Sequence, residues 1–363
     1  MTDDVTLITD SLEAQLWRSS AVRVALVIPM SGVLGMVGPC ALNCAVLAAS
    51  EVNASGGLLN RELELVVVDG GRSPEAVAAD VAELARTGAV DAIVGSHASD
   101  VRVSVARALG GRLPFLYTPP YEGGGREPGV YYLGETPETQ VGPAIGWLVE
   151  SRAARRWFLL GNDYVWPRLL NAQAKRYLAA QDARIVGERY IREMNDPEPL
   201  LDAIKASRAD AVFLTLIGTD LVMFNRAFAH SGLRCARLCG ALEEHGLLGV
   251  GGDDTGELYA SMGYFGSVAT DDSLSLAERY VHRFGPTAPL LNGHAQGVYE
   301  GMLMLAAMGR RAGSLIVPEL DTVADGTVVT SARGRLTLVD RHVRKSVYIG
   351  RADGLDFDVV TSV

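Results

Sequence analysis

The feature that most limits how this chain can fold is a rhythm. From Val22 almost to the C-terminus, short runs rich in β-branched and apolar residues alternate with segments of helical periodicity. Such alternation specifies an α/β fold with largely parallel strands, because each strand-to-strand connection carries a helix that covers a face of the sheet. The pattern predicts strands over Val22–Ile28, Leu63–Val68 and Ala92–Val94, with a helix over Leu42–Asn53 and another opened by Ser73-Pro74-Glu75. Ser73 offers a cap and Pro74 suits a first helical turn. A helix near Ser99–Ala108, strands Pro114–Tyr117 and Val130–Leu133, and a helix over Thr139–Glu150 continue the series. A second series with the same winding then begins: strands Arg156–Leu160, Ala183–Val186 and Ala211–Leu216, with helices Pro167–Ala180, Glu198–Ser207 and Asp220–Ser231. Beyond it, Leu258–Phe265 reads as strand, Leu274–Arg283 and Gly293–Ala312 as helices, and the period-2 alternation of Gly334–Gly350 suits a hairpin turning near Arg341.

Two such halves fit the length, since 363 residues hold two domains at roughly 100–200 residues each. The expected division is a polar leader over 1–21, one lobe from 22–140 plus about 266–320, and a second from 141–265 plus about 321–363. No charged residue falls between Val24 and Ser50, a length sufficient for a membrane span. Pro29, Ser31, Gly32, Gly35, Gly38, Pro39 and Asn43 inside it point instead to a strand, a Gly-rich turn and a helix start. The preceding residues include Asp3, Asp4, Asp10 and Glu13 against Arg18 and Arg23, the reverse of a basic secretory n-region, so a cytoplasmic location is expected. A net charge of -10 argues against direct nucleic-acid binding, which needs clustered Lys and Arg. Cys40, Cys44, Cys235 and Cys239 form two pairs at i, i+4 spacing, and the first pair lies in an apolar helix where free cysteines act as small hydrophobes; no metal site and no cofactor are expected.

In parallel α/β sheets, ligands bind beyond the carboxyl ends of the strands. Those loops are Met30–Pro39, Ser96–Ser99, Tyr117–Gly125, Asn162–Trp166 and Gly218–Asp220, and they are rich in Ser, Thr, Tyr, Trp, Gly and Pro but contain no Lys or Arg. Gly123-Gly124-Gly125 and Gly251-Gly252 lack the following Lys-Ser/Thr and the spacing of a phosphate loop. There is no G-x-S-x-G nucleophile elbow, and Ser99 with His97 reads as a helix cap that also holds a ligand rather than as a catalytic pair. Tyr164 and Trp166, two apart in a loop just past a strand, bring flat apolar faces with polar tips to the mouth of a site for a small hydrogen-bonding ligand.

Three runs carry a resemblance: Leu116-Tyr117-Thr118-Pro119-Pro120-Tyr121-Glu122-Gly123, Gly161-Asn162-Asp163-Tyr164-Val165-Trp166-Pro167-Arg168 with Asn171, and Thr215-Leu216-Ile217-Gly218-Thr219. They resemble the amide- and urea-binding branch of the type I periplasmic-binding-protein family, and within it look most like the cytoplasmic amide sensors that regulate amidase operons. The resemblance implies two Rossmann-like, doubly wound lobes joined by three crossovers around a ligand cleft. It implies a binding protein, not an enzyme, whose amide is held by Ser99, by Tyr117, Thr118 and Pro119, and by Tyr164 and Trp166, with His97 and Thr219 beside them. A neutral amide has one carbonyl acceptor and two N–H donors, which hydroxyls and backbone amides satisfy without a buried charge. The partner it implies is an RNA-binding antiterminator, with further copies of the chain left open. Pro119 stands where the family often has Thr and His97 where it has Tyr or Trp, and Gly124-Gly125 lacks the usual aromatic, which together imply a ligand larger or more polar than acetamide. The alternative is the solute-binding component of a urea or amide ABC importer; an amidohydrolase would need an activated nucleophile or a metal, and neither constellation is visible.

Overall fold

All seven residues of Val22–Ile28 are buried, which a strand tolerates only when both of its faces are covered. The computed structural model describes residues 7–17 and 19–363, and the chain divides into two units. Unit 1 comprises the chain as far as Pro119, with Gly124–Gly134 and Thr270–Lys345, and unit 2 comprises Pro120–Gly123, Glu135–Ala269 and Ser346–Val363.

Unit 1 is built on a nine-stranded sheet. Numbered along the chain, its strands β1 (Ile8–Thr9), β2 (Val22–Ile28), β3 (Leu63–Asp69), β4 (Ala92–Gly95), β5 (Phe115–Tyr117) and β6 (Val130–Tyr132) are parallel, in the order β1-β3-β2-β4-β5-β6. Helices α1 (Ser11–Leu16), α2 (Gly38–Ala54), α3 (Pro74–Thr87) and α4 (Ser99–Leu109) belong to this series, and α3 is capped by Ser73, whose hydroxyl accepts the Ala76 N–H. The uncharged stretch becomes β2, a single 3-10 turn at Gly35–Val37 and α2. Gly35–Ala54 is long and apolar enough to cross a membrane, yet 61% of that window is buried inside the protein, as expected of a core helix.

The leader is not a bare polar tail. Ile8 and Thr9 pair with Leu65 and Val66, Asp10 caps α1, and the Arg23 guanidinium donates to the carbonyls of Ala14 (2.9 Å) and Trp17 (2.6 Å) while pairing with Glu64 (2.9 Å). A two-residue strand and a six-residue helix are too short to leave a periodic signal.

Of the stretch 321–363 expected in the second lobe, the part as far as Lys345 is corrected to unit 1 by the sheet pairing, and Ser346–Val363 belong to unit 2. Strands β12 (Val328–Ser331), β13 (Gly334–Val339) and β14 (His342–Arg344) complete the first sheet, where His342 pairs with Tyr132. The Arg341 guanidinium fixes this choice by donating to Asp321 (2.6 Å) and the Glu127 carbonyl (3.0 Å), and the turn itself has positive φ at Asp340 (49°) and Arg341 (62°), as a two-residue hairpin requires. Alternation identified the strands but carried no information about which sheet they join.

Unit 2 holds the parallel strands β7 (Arg156–Asn162), β8 (Arg184–Ile191), β9 (Ala211–Thr215), β10 (Ala236–Cys239) and β11 (Leu258–Met262), ordered β8-β7-β9-β10-β11. Antiparallel β15 (Tyr348–Asp353) and β16 (Asp356–Ser362) extend it beyond β11. Its helices are α5 (Pro137–Arg152), α6 (Val165–Ala180), α7 (Glu198–Ser207), α8 (Gly218–His230) and α9 (Glu244–Val250). A core of Phe158, Leu160, Val212, Leu214, Phe224, Phe265 and Phe357 lies to one side of this sheet. Returning to unit 1, α10 (Asp271–Phe284), α11 (Gly293–Ala312) and α12 (Val317–Ala324) complete it, and α11 packs along α2.

Both sheets share one topological property. The chain winds outward from β2 to β3 and then returns to the other side of β2 with β4; it does the same from β7 to β8 and then β9. Each unit therefore has a switch point, between β2 and β4 and between β7 and β9, where diverging loops leave room for a ligand.

Candidate functional site

In unit 1 the switch point is bordered by the loops after β2, β4 and β5. The first is fastened by Asp69 at the end of β3, which accepts the Met30 N–H (2.9 Å), the Ser31 hydroxyl (2.6 Å) and the Gly71 N–H (2.9 Å). Partial burial pushes the Asp69 carboxyl up, but these hydrogen bonds outweigh it and hold the group below its ordinary value.

The second loop leads into α4. Ala98, not Ser99, is the N-cap, and it offers no side-chain acceptor to the first turn. Ser99 is the first helical residue, 2% exposed, and neither its hydroxyl nor its backbone N–H has a hydrogen-bond partner among the described residues. The expected cap is thus a hydroxyl placed at a helix N-terminus, where the dipole and unpaired N–H groups favour an acceptor. Ser96, 4% exposed, has a second hydroxyl without a partner among the described residues. The same loop carried both serines in the sequence, but nothing there distinguished Ser96.

His97 lies apart from this arrangement. Its ring sits over Gly95 beside Phe115 and Tyr117, with centroids 5.9 and 5.4 Å away, and Nδ1 is 3.1 Å from the Ala98 carbonyl, the contact that assigns the proton to Nδ1. Burial, aided by the nearby Arg102 charge and opposed by the Ala98 contact, pushes its pKa down to about 4, so the ring is neutral at pH 7. With one nitrogen engaged and Nε2 turned toward Gly95, it does not serve Ser99 as a base. Tyr117 donates its hydroxyl to the His97 carbonyl (2.7 Å), and Arg102 lies over both the Tyr117 and Tyr132 rings at 5.5 Å. Thr118 donates to the Gly95 carbonyl (3.2 Å) and packs against Gly297 and Gly301 of α11, and Pro119 is buried. Among the five residues expected on this side, Ser99 offers a hydroxyl and His97 a buried Nε2 with no hydrogen-bond partner among the described residues, while Tyr117 and Thr118 shape the loop.

In unit 2, Asn162 closes the switch point: its amide donates to Asp220 (2.5 Å) and its carbonyl oxygen accepts the Ile217 N–H (3.0 Å). Asp220 in turn accepts the Met194 N–H (3.0 Å). Tyr164 and Trp166 do not share a loop. Helix α6 starts at Val165, because a proline in the first turn gives up an N–H that would be unpaired anyway. Tyr164 is its N-cap and half-buried, while Trp166 is helical, 3% exposed, and set against Gly240 with its indole N–H unpartnered among the described residues. The two rings remain neighbours, 6.4 Å apart at 31°. Gln140 of α5 holds the ends of β10 and β11 by donating to the carbonyls of Gly240 (2.9 Å) and Ser261 (2.6 Å). Thr219 is exposed in the first turn of α8.

The sequence reading passed over Glu243 and Glu244. Glu243 caps α9 by accepting the His245 (2.9 Å) and Gly246 (2.8 Å) N–H groups. Glu244, 5% exposed, accepts the Gly266 N–H (2.6 Å) with one oxygen and has no hydrogen-bond partner for the other among the described residues. Burial, reinforced by the Glu243 charge, pushes its pKa up to about 8. The available signal was an acidic pair followed by His245 between the apolar residues Ala241-Leu242 and Leu247-Leu248.

A family model described as periplasmic binding protein matches residues 21–356. Among solved structures, the chain is similar to an ABC transporter solute binding protein from Rhodopseudomonas palustris HaA2 in complex with p-hydroxybenzoic acid, at 18% identity and a TM-score of 0.84, over 94% of this chain and 97% of that one. It is similar to the leucine binding protein LivK from Thermotoga maritima at 18% identity and a TM-score of 0.82, over 94% and 99% of the two chains. A third is the branched-chain amino acid transporter substrate binding protein LivJ from Streptococcus pneumoniae in complex with isoleucine, at 16% identity and a TM-score of 0.80, over 94% and 98%. At these identities the likeness is one of fold.

Proposed function

This chain belongs to the type I periplasmic binding protein family, and from that premise we propose that it is the solute-binding component of an uptake system whose ligand presents a carboxyl or carboxamide group to the first turn of α4. The observation that carries the reading is Ser99, with a hydroxyl and an N–H both unengaged among the described residues at the start of an eleven-residue helix whose cap residue supplies no side-chain acceptor. Such a terminus receives either the oxygen of an amide or a full carboxylate. The lack of Lys and Arg in the strand-end loops therefore does not by itself select a neutral ligand. The ligands bound by two of the similar proteins, p-hydroxybenzoic acid and isoleucine, both carry a carboxyl group, which supports the wider class.

A second reading, a cytoplasmic amide sensor acting on an RNA-binding antiterminator, draws support from the same loops, which hold no Lys or Arg. Thermal-shift and calorimetric titration with matched acid and amide pairs (benzoate and benzamide, leucine and leucinamide, acetate and acetamide) tests both. Saturable binding of an acid, or of both members of a pair, supports the uptake reading; binding confined to amides supports the sensor. Ser99→Ala should weaken the bound compound at least tenfold without lowering the unfolding midpoint of the free protein. Full affinity in that variant would remove α4 from the site.

A further inference from the structure

A second feature of unit 2 lies where β9 and β10 begin, opposite their carboxyl ends. The C-terminal ends of α5 and α7 and the loop before β10 enclose a depression of about 440 Å3. Four cationic side chains line it, Arg152, Lys205, Arg208 and Arg234, against a single carboxylate, Asp210. Asp210 is already occupied, accepting the backbone N–H groups of Arg155 (3.0 Å) and Arg156 (2.9 Å) through one oxygen. Arg152 is held from outside the depression, by the Tyr259 hydroxyl (2.8 Å) with Glu257 at 3.7 Å. Lys205, Arg208 and Arg234 have no ion-pair partner among the described residues.

Helix ends explain part of this pattern. Lys205 lies in the last turn of α7 and Arg208 is its C-cap, positions where cations offset the negative end of the dipole. Arg234 is different: α8 ends at His230 with Ser231 as its C-cap, so Arg234 sits on a connecting loop and serves no helix end. Its position adds a further positive charge to a wall that already carries two unpaired ones, in a chain whose net charge is -10. Like charges that converge on one concavity repel each other, and an anion seated among them removes that repulsion.

We propose that this depression is a binding site for a compact multivalent oxyanion, a di- or polyphosphate group or a polycarboxylate. The volume falls within the usual range for small-molecule sites. Arg208 and Arg234 supply planar forks suited to paired oxygens, and Lys205 a mobile point charge. The proposal stands independently of the ligand assigned to α4.

Calorimetric titration of the full chain with inorganic phosphate, pyrophosphate and citrate, at low and at physiological salt, is the test. Saturable binding of pyrophosphate or citrate is expected, weakening as salt rises; the preferred arm identifies the phosphoryl or polycarboxylate class. Arg208→Gln with Arg234→Gln should reduce that affinity at least tenfold. Arg192→Gln, an exposed cation elsewhere on unit 2, and Ser99→Ala should leave it unchanged. Absence of saturable binding by all three anions, including the outcome in which the depression captures only an acidic protein, would overturn the proposal. So would an Arg192→Gln loss as large as that of the double variant, which would reduce the effect to diffuse surface charge.

Discussion

Glu244 and His97 are both buried and both uncharged at pH 7, yet they act on stability in opposite directions. For His97 the folded pKa is about 4 against an ordinary 6.5. Between those values the unfolded chain binds a proton that the folded chain does not, so stability rises with pH across that window and is flat above it. For Glu244 the folded pKa is about 8 against an ordinary 4.5. Here the folded chain keeps a proton that the unfolded chain has released, so this group's contribution falls with pH by up to about 1.4 kcal/mol per unit until about 8. From about 4.5 to 6.5 the two slopes oppose each other, and from about 6.5 to 8 only that of Glu244 remains. Glu244→Gln, which keeps an acceptor for the Gly266 N–H, should therefore flatten the decline in unfolding midpoint over that upper window. His97→Gln should change only the acid limb. A midpoint that falls as steeply in Glu244→Gln as in the parent between pH 6.5 and 8 would mean that another group carries the slope. Neither burial was legible in the sequence, since a lone histidine after a strand and an acidic pair before a helix look the same whether they face water or protein.

Elements were legible where a pattern ran long enough to repeat. Val22–Ile28, Glu198–Ser207 and Gly293–Ala312 occupy the spans read from periodicity and end signals. Strand β10 was missed for a physical reason: its four residues include Arg237, and a charge in a strand reads as solvent-facing until its partners are placed. In the fold Arg237 is 0% exposed, paired with Asp253 (2.7 Å) and bonded to Asn225 (3.0 Å), residues on a distant loop and on α8. The candidate loop at the end of β7 depends on an equally local constraint. A Cβ added at Gly161 would come within 2.2 Å of the Thr215 hydroxyl and 2.9 Å of Pro167, so a glycine is what lets β9 and the start of α6 approach together. Thr215 cannot turn away freely, because it is buried and its hydroxyl is bonded to the Leu160 carbonyl (3.3 Å) and Asn171 (3.2 Å). Gly161→Ala should cost about 1–3 kcal/mol as an overpacked core. Combining it with Thr215→Ala should cost less than the two single changes added together, a coupling that denaturant unfolding of all four proteins measures. Strict additivity would show that the strain is relieved elsewhere.

At the scale of the molecule, the expected division already gave each of two α/β units separate stretches of chain, but it did not give where their borders fall. Unit 2 illustrates the consequence. The chain leaves it after Ala269 and returns only at Ser346, so its sheet is completed by the last residues of the sequence. There β15 pairs antiparallel with β11 from Tyr259↔Arg351 to Met262↔Tyr348, and Phe357 of β16 lies 4.8 Å from Phe265 in the core. Gly350 permits that packing, since a Cβ there would meet the Phe265 ring at 2.8 Å. Removing Ser346–Val363 strips the pairing from β11 and leaves a cavity where Phe357 was, and a lost core phenylalanine alone costs about 3–5 kcal/mol. Stability is not uniform across a chain with two cores, so the loss should be local. Hydrogen exchange on the truncated protein should show amides of β9, β10 and β11 losing protection while those of β2, β3 and β4 keep theirs, and Phe357→Ala should reproduce the pattern in milder form. Equal loss in β2 to β4 would contradict the division into two cores, because no residue of Ser346–Val363 belongs to unit 1.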